Sequence, residues 1–107
     1  MQLVAQGSQG SFNGVTEVTL VPAPSSGSRM VRSLYIHNSS GESLAVIVEK
    51  KSGSTNYTIS RQLVDPLDTI MFGDGDIICL TAGESLVGFL DASPATNPTF
   101  VSNWGDK

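Results

Sequence analysis

Gly41-Glu42-Ser43-Leu44 runs into the apolar stretch Ala45-Val46-Ile47-Val48 and ends on Glu49. Gly83-Glu84-Ser85-Leu86 runs in the same way into Val87-Gly88-Phe89-Leu90 and ends on Asp91. Each copy is preceded by a strand-like run, Leu34-Tyr35-Ile36 before the first and Ile77-Ile78-Cys79-Leu80 before the second. Strand, glycine-containing turn, strand is the signature of a β-hairpin, so each copy predicts one. Two copies are too few for a solenoid, and shared turn chemistry is enough to account for them.

Working outward, every other stretch also reads as strand or turn. Val15–Val21 alternates as a strand, and the loop Pro22–Ser28 follows, with two prolines and a glycine. Met30–His37 is a strand with Leu34 and Ile36 on one face. Leu44–Lys50 is apolar on both faces and therefore central in its sheet. Asn56–Gln62 alternates cleanly, which predicts a half-exposed strand. Leu67–Phe72, Asp76–Leu80, Ser85–Ala92 and Thr99–Trp104 complete the set. About eight short strands with turn signals roughly every 8–12 residues predict an antiparallel β-sandwich or jelly roll. The class is all-β.

Residues 1–14 differ from the rest. They are rich in Gly, Ser and Gln, with isolated apolar residues at Leu3, Val4 and Phe12. Such a segment cannot offset its own ordering entropy. It becomes ordered only when tied down, by adding a strand to a sheet or by lying on a neighbouring subunit. The expected organisation is an extended N-terminal arm over residues 1–14 and one sandwich domain over 15–107. Deleting the arm should then leave the domain folded.

Bulk properties narrow the function classes. A chain of 107 residues makes one domain with a modest core. The net charge is −4, and the six basic residues are scattered, so nucleic acid is not an expected partner. No stretch is long and apolar enough to span a bilayer, so no membrane partner is expected. No export signal is visible, which predicts synthesis and folding in a cytoplasm. A single cysteine, Cys79, excludes an internal disulfide, and its apolar surroundings predict a buried small hydrophobe.

The residues that could carry chemistry do not form a set. His37 is the single histidine, placed at a strand end, and no Gly-x-Ser-x-Gly elbow accompanies it. One His and one Cys cannot make a zinc site. Asp65, Asp68, Asp74 and Asp76 cluster, and Asp74-Gly75-Asp76 has the spacing of part of a calcium loop. It lacks the further ligands, and an Asp-Gly hairpin turn explains it as well. No catalytic, cofactor or metal residue is therefore expected. Tyr35, Tyr57 and Trp104 could act as sugar platforms if exposed. Asn38-Ser39-Ser40 and Asn56-Tyr57-Thr58 match the glycosylation sequon.

One cadence runs through the middle of the chain. Val31–Gly41 is a strand ending in Asn-Ser, and a β-run to Glu49 follows. Tyr57-Thr58-Ile59, Leu67-Asp68-Thr69-Ile70 and Ile78-Cys79-Leu80-Thr81-Ala82-Gly83-Glu84-Ser85-Leu86 then come in order. Over roughly residues 29–104 this resembles the small β-sandwich virion proteins of tailed bacteriophages. The resemblance implies a non-enzymatic structural protein of the virion, made in the host cytoplasm. It would be a capsid decoration protein that acts as a homo-oligomer on the major capsid protein. A head–tail or tail component, or a carbohydrate-binding adhesive module, is the alternative. The expected contact residues are Leu3, Val4 and Phe12 in the arm and Trp104 near the last strand.

Overall fold

The computed structural model describes residues 4–72 and 78–106, and of Val4 and Ala5 the backbone alone. Among the described residues it contains nine strands and no helix. They are β1 (Val4–Ser11), β2 (Val18–Val21), β3 (Ser28–His37), β4 (Leu44–Ser52), β5 (Thr55–Val64), β6 (Thr69–Phe72), β7 (Ile78–Thr81), β8 (Glu84–Leu90) and β9 (Thr99–Asp106). One sheet has the order β1-β9-β3-β6, with β7 also on β3. The other has the order β2-β8-β4-β5. Every pairing is antiparallel.

The pairings are nested. β4 pairs with β5, β3 with β6 and β7, β2 with β8, and β1 with β9. This is one long hairpin, folded over until β9 meets β3 and β8 meets β4. A hairpin rolled in this way is a jelly roll. β6 and β7 lie end to end along β3, against Leu34–His37 and Ser28–Val31 respectively, so together they fill one strand position.

The core lies between the sheets. Leu34, Ile36, Phe100 and Trp104 come from the first sheet, and Leu20, Val46, Val48, Leu86 and Leu90 from the second. β4 is buried on both faces from Leu44 to Val48, because it is central and flanked by β8 and β5. Gly88 is required here. A Cβ at that position would come within 2.8 Å of the Phe12 ring and 2.9 Å of Leu20 Cδ1. The ring of Phe12 occupies that space and meets Phe100 edge to face at 5.9 Å.

Three expectations are corrected. Neither Gly-Glu-Ser-Leu copy closes a hairpin. β3 and β4 lie in opposite sheets, as do β7 and β8, so both turns are corners that switch sheets. Among the described residues the one tight hairpin between strands is β4–β5, turning at Gly53 with φ 62°. The apolar runs after the two corners, β4 and β8, pair with each other in the centre of the second sheet.

The N-terminal segment is tied down in the first of the two expected ways, as a strand added to a sheet, and it is the boundary at residue 15 that moves. β1 pairs with β9 in unbroken register from Val4↔Asp106 to Ser11↔Thr99, so the domain already includes β1 rather than starting at residue 15. Its polar side chains suit an edge strand, which needs backbone pairing more than apolar burial. The third correction concerns Cys79. It is exposed, because β7 alternates and Leu80 takes the inward position.

Candidate assembly surfaces

The best-built polar cluster holds the first corner. Asn38 follows β3 directly and is completely buried. Its Nδ2 donates to the carbonyls of Glu42 at 2.7 Å and Val64 at 3.0 Å. Its Oδ1 accepts from the Ser40 N–H at 3.0 Å and the Ser40 hydroxyl at 2.7 Å. Its backbone exchanges two more bonds, donating to the Asp68 carbonyl and accepting from the Leu67 N–H. One amide thus satisfies the loop between β3 and β4 and the loop between β5 and β6 at once. Its burial also removes Asn38 as a glycosylation acceptor in the folded chain.

The second corner is fastened by a carboxylate. Glu84 Oε1 accepts from the Thr81 N–H at 2.9 Å and the Thr81 hydroxyl at 2.8 Å, and Lys50 Nζ lies 3.2 Å away. These bonds, the Thr81 backbone one first, hold the Glu84 carboxyl down at about 2. At the far edge Arg29 grips Asp106 with two bonds, at 2.7 and 3.0 Å, and lies 4.9 Å above the Trp104 ring. The Arg29 guanidinium keeps the Asp106 carboxyl below its usual range. Both clusters are fully explained as fastenings of the fold.

The candidate catalytic side chains keep to separate partners. His37 Nδ1 is 2.8 Å from Thr69 Oγ1, across the β3–β6 pair, and among the described residues no carboxylate hydrogen-bonds to it. Asp65 accepts from the Ser43 hydroxyl and Asp68 from the Thr69 N–H. Asp74 and Asp76 lie outside the described residues. Among the described residues no group of three His, Cys, Asp or Glu side chains could hold a metal ion. A shallow cleft of about 260 Å³ lies between Ser40, Gly41 and Glu42 on one side and Ala95 and Thr96 on the other. It presents no aromatic platform.

What the surface does present is apolar. On the outer face of the first sheet, Tyr35 sits between its cross-strand partners Met71 and Val101. All three are 41–46% exposed, so they form one continuous stripe. On the second sheet, eight of the ten residues of β5 are exposed, Ser60 is half-buried and Val64 alone is buried. Tyr57, Ile59 and Leu63 stand out from it, at 58%, 42% and 63% exposure. Leu67, in the loop after β5, is 74% exposed and has φ 62°, a left-handed conformation costly for a leucine.

The expected contact residues divide differently. Leu3 lies outside the described residues, and Val4 contributes its backbone to the β1–β9 ladder. Phe12 and Trp104 are core residues, 2% and 4% exposed, and neither can reach a partner. Trp104 is thereby also lost as a sugar platform. Tyr35 and Tyr57 remain exposed, but on different sheets. The residues that sequence reasoning passed over are Met71, Val101, Leu63 and Leu67. The alternation of Met71 with the inward-facing Ile70 and Phe72 was the signal for the first of these.

No protein-family model matches the chain, and no curated protein matches it. Solved structures do. A protein of the disulfide-linked pili of Bacillus endospore appendages is 13% identical, with a TM-score of 0.57 over 99% of this chain and 91% of its own. The Drosophila NLP core, studied for pentamer formation and histone binding, is 10% identical, with a TM-score of 0.55 over 97% of this chain and 98% of its own. At these identities the likeness is one of fold: the chain shares a β-sandwich with proteins of different work.

Proposed function

We propose that this chain is a non-enzymatic structural subunit of a bacteriophage virion, a capsid decoration protein that binds and stabilises the shell of the major capsid protein. The observation that carries the reading is the stripe of Tyr35, Met71 and Val101 on the outer face of the first sheet. A small domain gains nothing in its own stability from three apolar side chains in direct cross-strand register facing water, whereas a docking face does. The resemblance in cadence to tailed-phage virion proteins supplies the partner. The jelly-roll order suits it, since viral capsid domains use that architecture, although many other proteins use it too. The two similar structures described above belong to proteins characterised by their assembly, as pili and as pentamers.

The mechanism is burial of apolar area on a rigid sheet face, worth about 25 cal/mol per Å² removed from water. The test is co-sedimentation with shells assembled from the major capsid protein of the same phage. Wild-type protein should pellet with shells, and Tyr35→Lys with Met71→Lys should lower the affinity at least tenfold. Wild-type protein that stays in the supernatant at all accessible concentrations would sink the reading.

A further inference from the structure

The loop between β5 and β6 carries a strained residue in an exposed place. Asp65-Pro66-Leu67-Asp68 closes a tight turn, in which the Asp68 N–H donates to the Asp65 carbonyl at 3.1 Å. Proline at the second position and a positive φ at the third are the pattern of a type II turn, whose third position favours glycine or asparagine. Here it is Leu67, at φ 62°. Among the described residues every other positive φ belongs to a glycine: Gly14, Gly27, Gly53 and Gly83. Packing does not explain the exception, because Leu67 is 74% exposed, more than any other large apolar residue described. What holds it is Asn38, wholly buried beneath the loop. The Leu67 N–H donates to the Asn38 carbonyl at 2.8 Å, and the Asn38 N–H donates to the Asp68 carbonyl at 2.9 Å. Asn38 Nδ2 also reaches the carbonyls of Val64 at 3.0 Å and Asp65 at 3.3 Å. The turn is therefore fixed on both sides of Leu67. A strained residue that its surroundings over-determine, and that points an apolar side chain at water, has the properties of an interface anchor already ordered before its partner arrives.

We infer that Leu67 is a preorganised plug, which the turn 65–68 inserts into an apolar socket with a basic rim on the capsid shell. The inference deepens the decoration reading above and rests on it for the identity of the partner. The chemistry of the socket follows from what flanks the plug. Asp65 and Asp68 are both exposed. Their carboxylates accept from the Ser43 hydroxyl and the Thr69 N–H, and among the described residues neither forms an ion pair. One apolar tip thus stands between two carboxylates that carry their full charge. Its complement is an apolar hollow with lysine or arginine at the rim. A second copy of this chain does not fit that description. The molecule carries −4 overall, and four of its six basic residues, Arg29, Lys50, Lys51 and Arg61, are already paired within the chain. The plug is also distinct from the stripe of Tyr35, Met71 and Val101. It precedes Thr69, where β6 begins opposite His37, whereas Met71 lies further along β6 opposite Tyr35.

The test combines thermal melting of the full chain with co-sedimentation on shells of the major capsid protein. Leu67→Asn suits the left-handed backbone and removes a side chain that is already in water. It should melt about 2–4 °C above wild type, yet bind shells about tenfold more weakly or worse. Leu67→Met keeps an apolar tip and should bind within about threefold of wild type. Asp65→Asn with Asp68→Asn keeps the acceptor oxygens and removes the charges. It should weaken binding by about threefold or more at low ionic strength and flatten its salt dependence. Wild-type protein that pellets with shells while Leu67→Asn binds equally well would overturn the inference and leave the decoration reading standing. Wild-type protein that does not pellet would overturn both. A melting temperature for Leu67→Asn below that of wild type would show that the leucine supports its own chain, and the inference would fall. Binding indifferent to the paired aspartate changes would remove the basic rim and overturn the inference as stated.

Discussion

β1 and β5 are both long edge strands, one on each sheet, and their sequences suggest the reverse of what they do. β1 is Gly-, Ser- and Gln-rich, yet it is bound along its length to β9 and delivers Phe12 into the core. β5 alternates apolar and polar residues in good strand fashion, yet it buries only Val64. The difference lies in what faces each strand. Directly after β1 the chain folds Phe12 inward beside Gly88, Leu20 and Phe100, so one aromatic ring anchors an otherwise polar strand. β5 lies at the edge of its sheet, and among the described residues only Val64 of the strand is buried, so its alternation meets water on both faces. Apolar patterning reports what a strand could bury, and the strand's tertiary surroundings decide whether it does.

The comparison breaks most sharply at Phe12. Phe12→Ala removes the anchor and leaves a cavity beside Gly88, where the neighbouring backbone is too constrained to collapse. The expected cost is about 3–5 kcal/mol, measured by denaturant unfolding. Deleting residues 1–14 should go further and leave no cooperative transition, contrary to the expectation for a detachable arm. A stable, cooperatively unfolding deletion variant would return β1 to the status of an accessory segment.

Next in size is Asn38→Ala. It leaves the buried carbonyls of Glu42 and Val64 without their donor and the Ser40 N–H without its acceptor. The expected loss is about 2–3 kcal/mol, with hydrogen exchange accelerated in both loops that Asn38 ties together and little changed in β1. A change confined to one loop would mean that the amide does not couple them.

How much of this was legible follows from the physical range of each signal. Local alternation and turn residues placed the strands from Val15 to Trp104 closely, and the all-β sandwich follows from their number and spacing. Pairing partners were not legible: Gly-Glu-Ser-Leu looks the same whether the next strand returns beside the last or crosses to the other sheet. At the first corner the deciding factor is Asn38, whose amide reaches carbonyls 26 and 27 residues away. Phe12 and Trp104 were read as contacts because isolated aromatics near the termini look unsupported, and their cover comes from strands distant in sequence. Cys79 was misplaced because an apolar run was taken as buried on both faces, although β7 sits at the sheet edge and alternates. Tyr35 and Tyr57 were named as sugar platforms on the condition of exposure, which their strand positions left open; Tyr35 meets it between the buried Leu34 and Ile36, and Tyr57 meets it on a strand whose neighbouring residues are exposed as well.

The corners sharpen the contrast between fastened and free regions through pH. Glu84 has a folded pKa of about 2 against an ordinary 4.5. A carboxyl held below its unfolded value stabilises the fold above that unfolded value, and the stabilisation disappears as pH falls from about 4.5 towards 2. Glu17 and Asp106 are shifted in the same direction, by Lys51 and Asn56 and by Arg29 respectively. Melting temperature should therefore fall through that window. Glu84→Gln should melt below wild type at pH 7, and the two curves should converge near pH 2. Parallel curves would show that the Thr81 and Lys50 contacts carry no charge-dependent stability.

The smallest expected effect is also the most pointed. Leu63→Ser, on β5, should change the unfolding free energy of the isolated subunit by no more than about 0.5 kcal/mol, because the side chain it truncates is already in water. In a domain with a modest core, a leucine that can be lost so cheaply is not retained by packing within the chain. The measurement belongs at low concentration, where any association between copies would add nothing to the stability by mass action. If Leu63→Ser costs as much there as a core truncation, β5 is covered within its own chain, and the distinction drawn between the two edges falls with it.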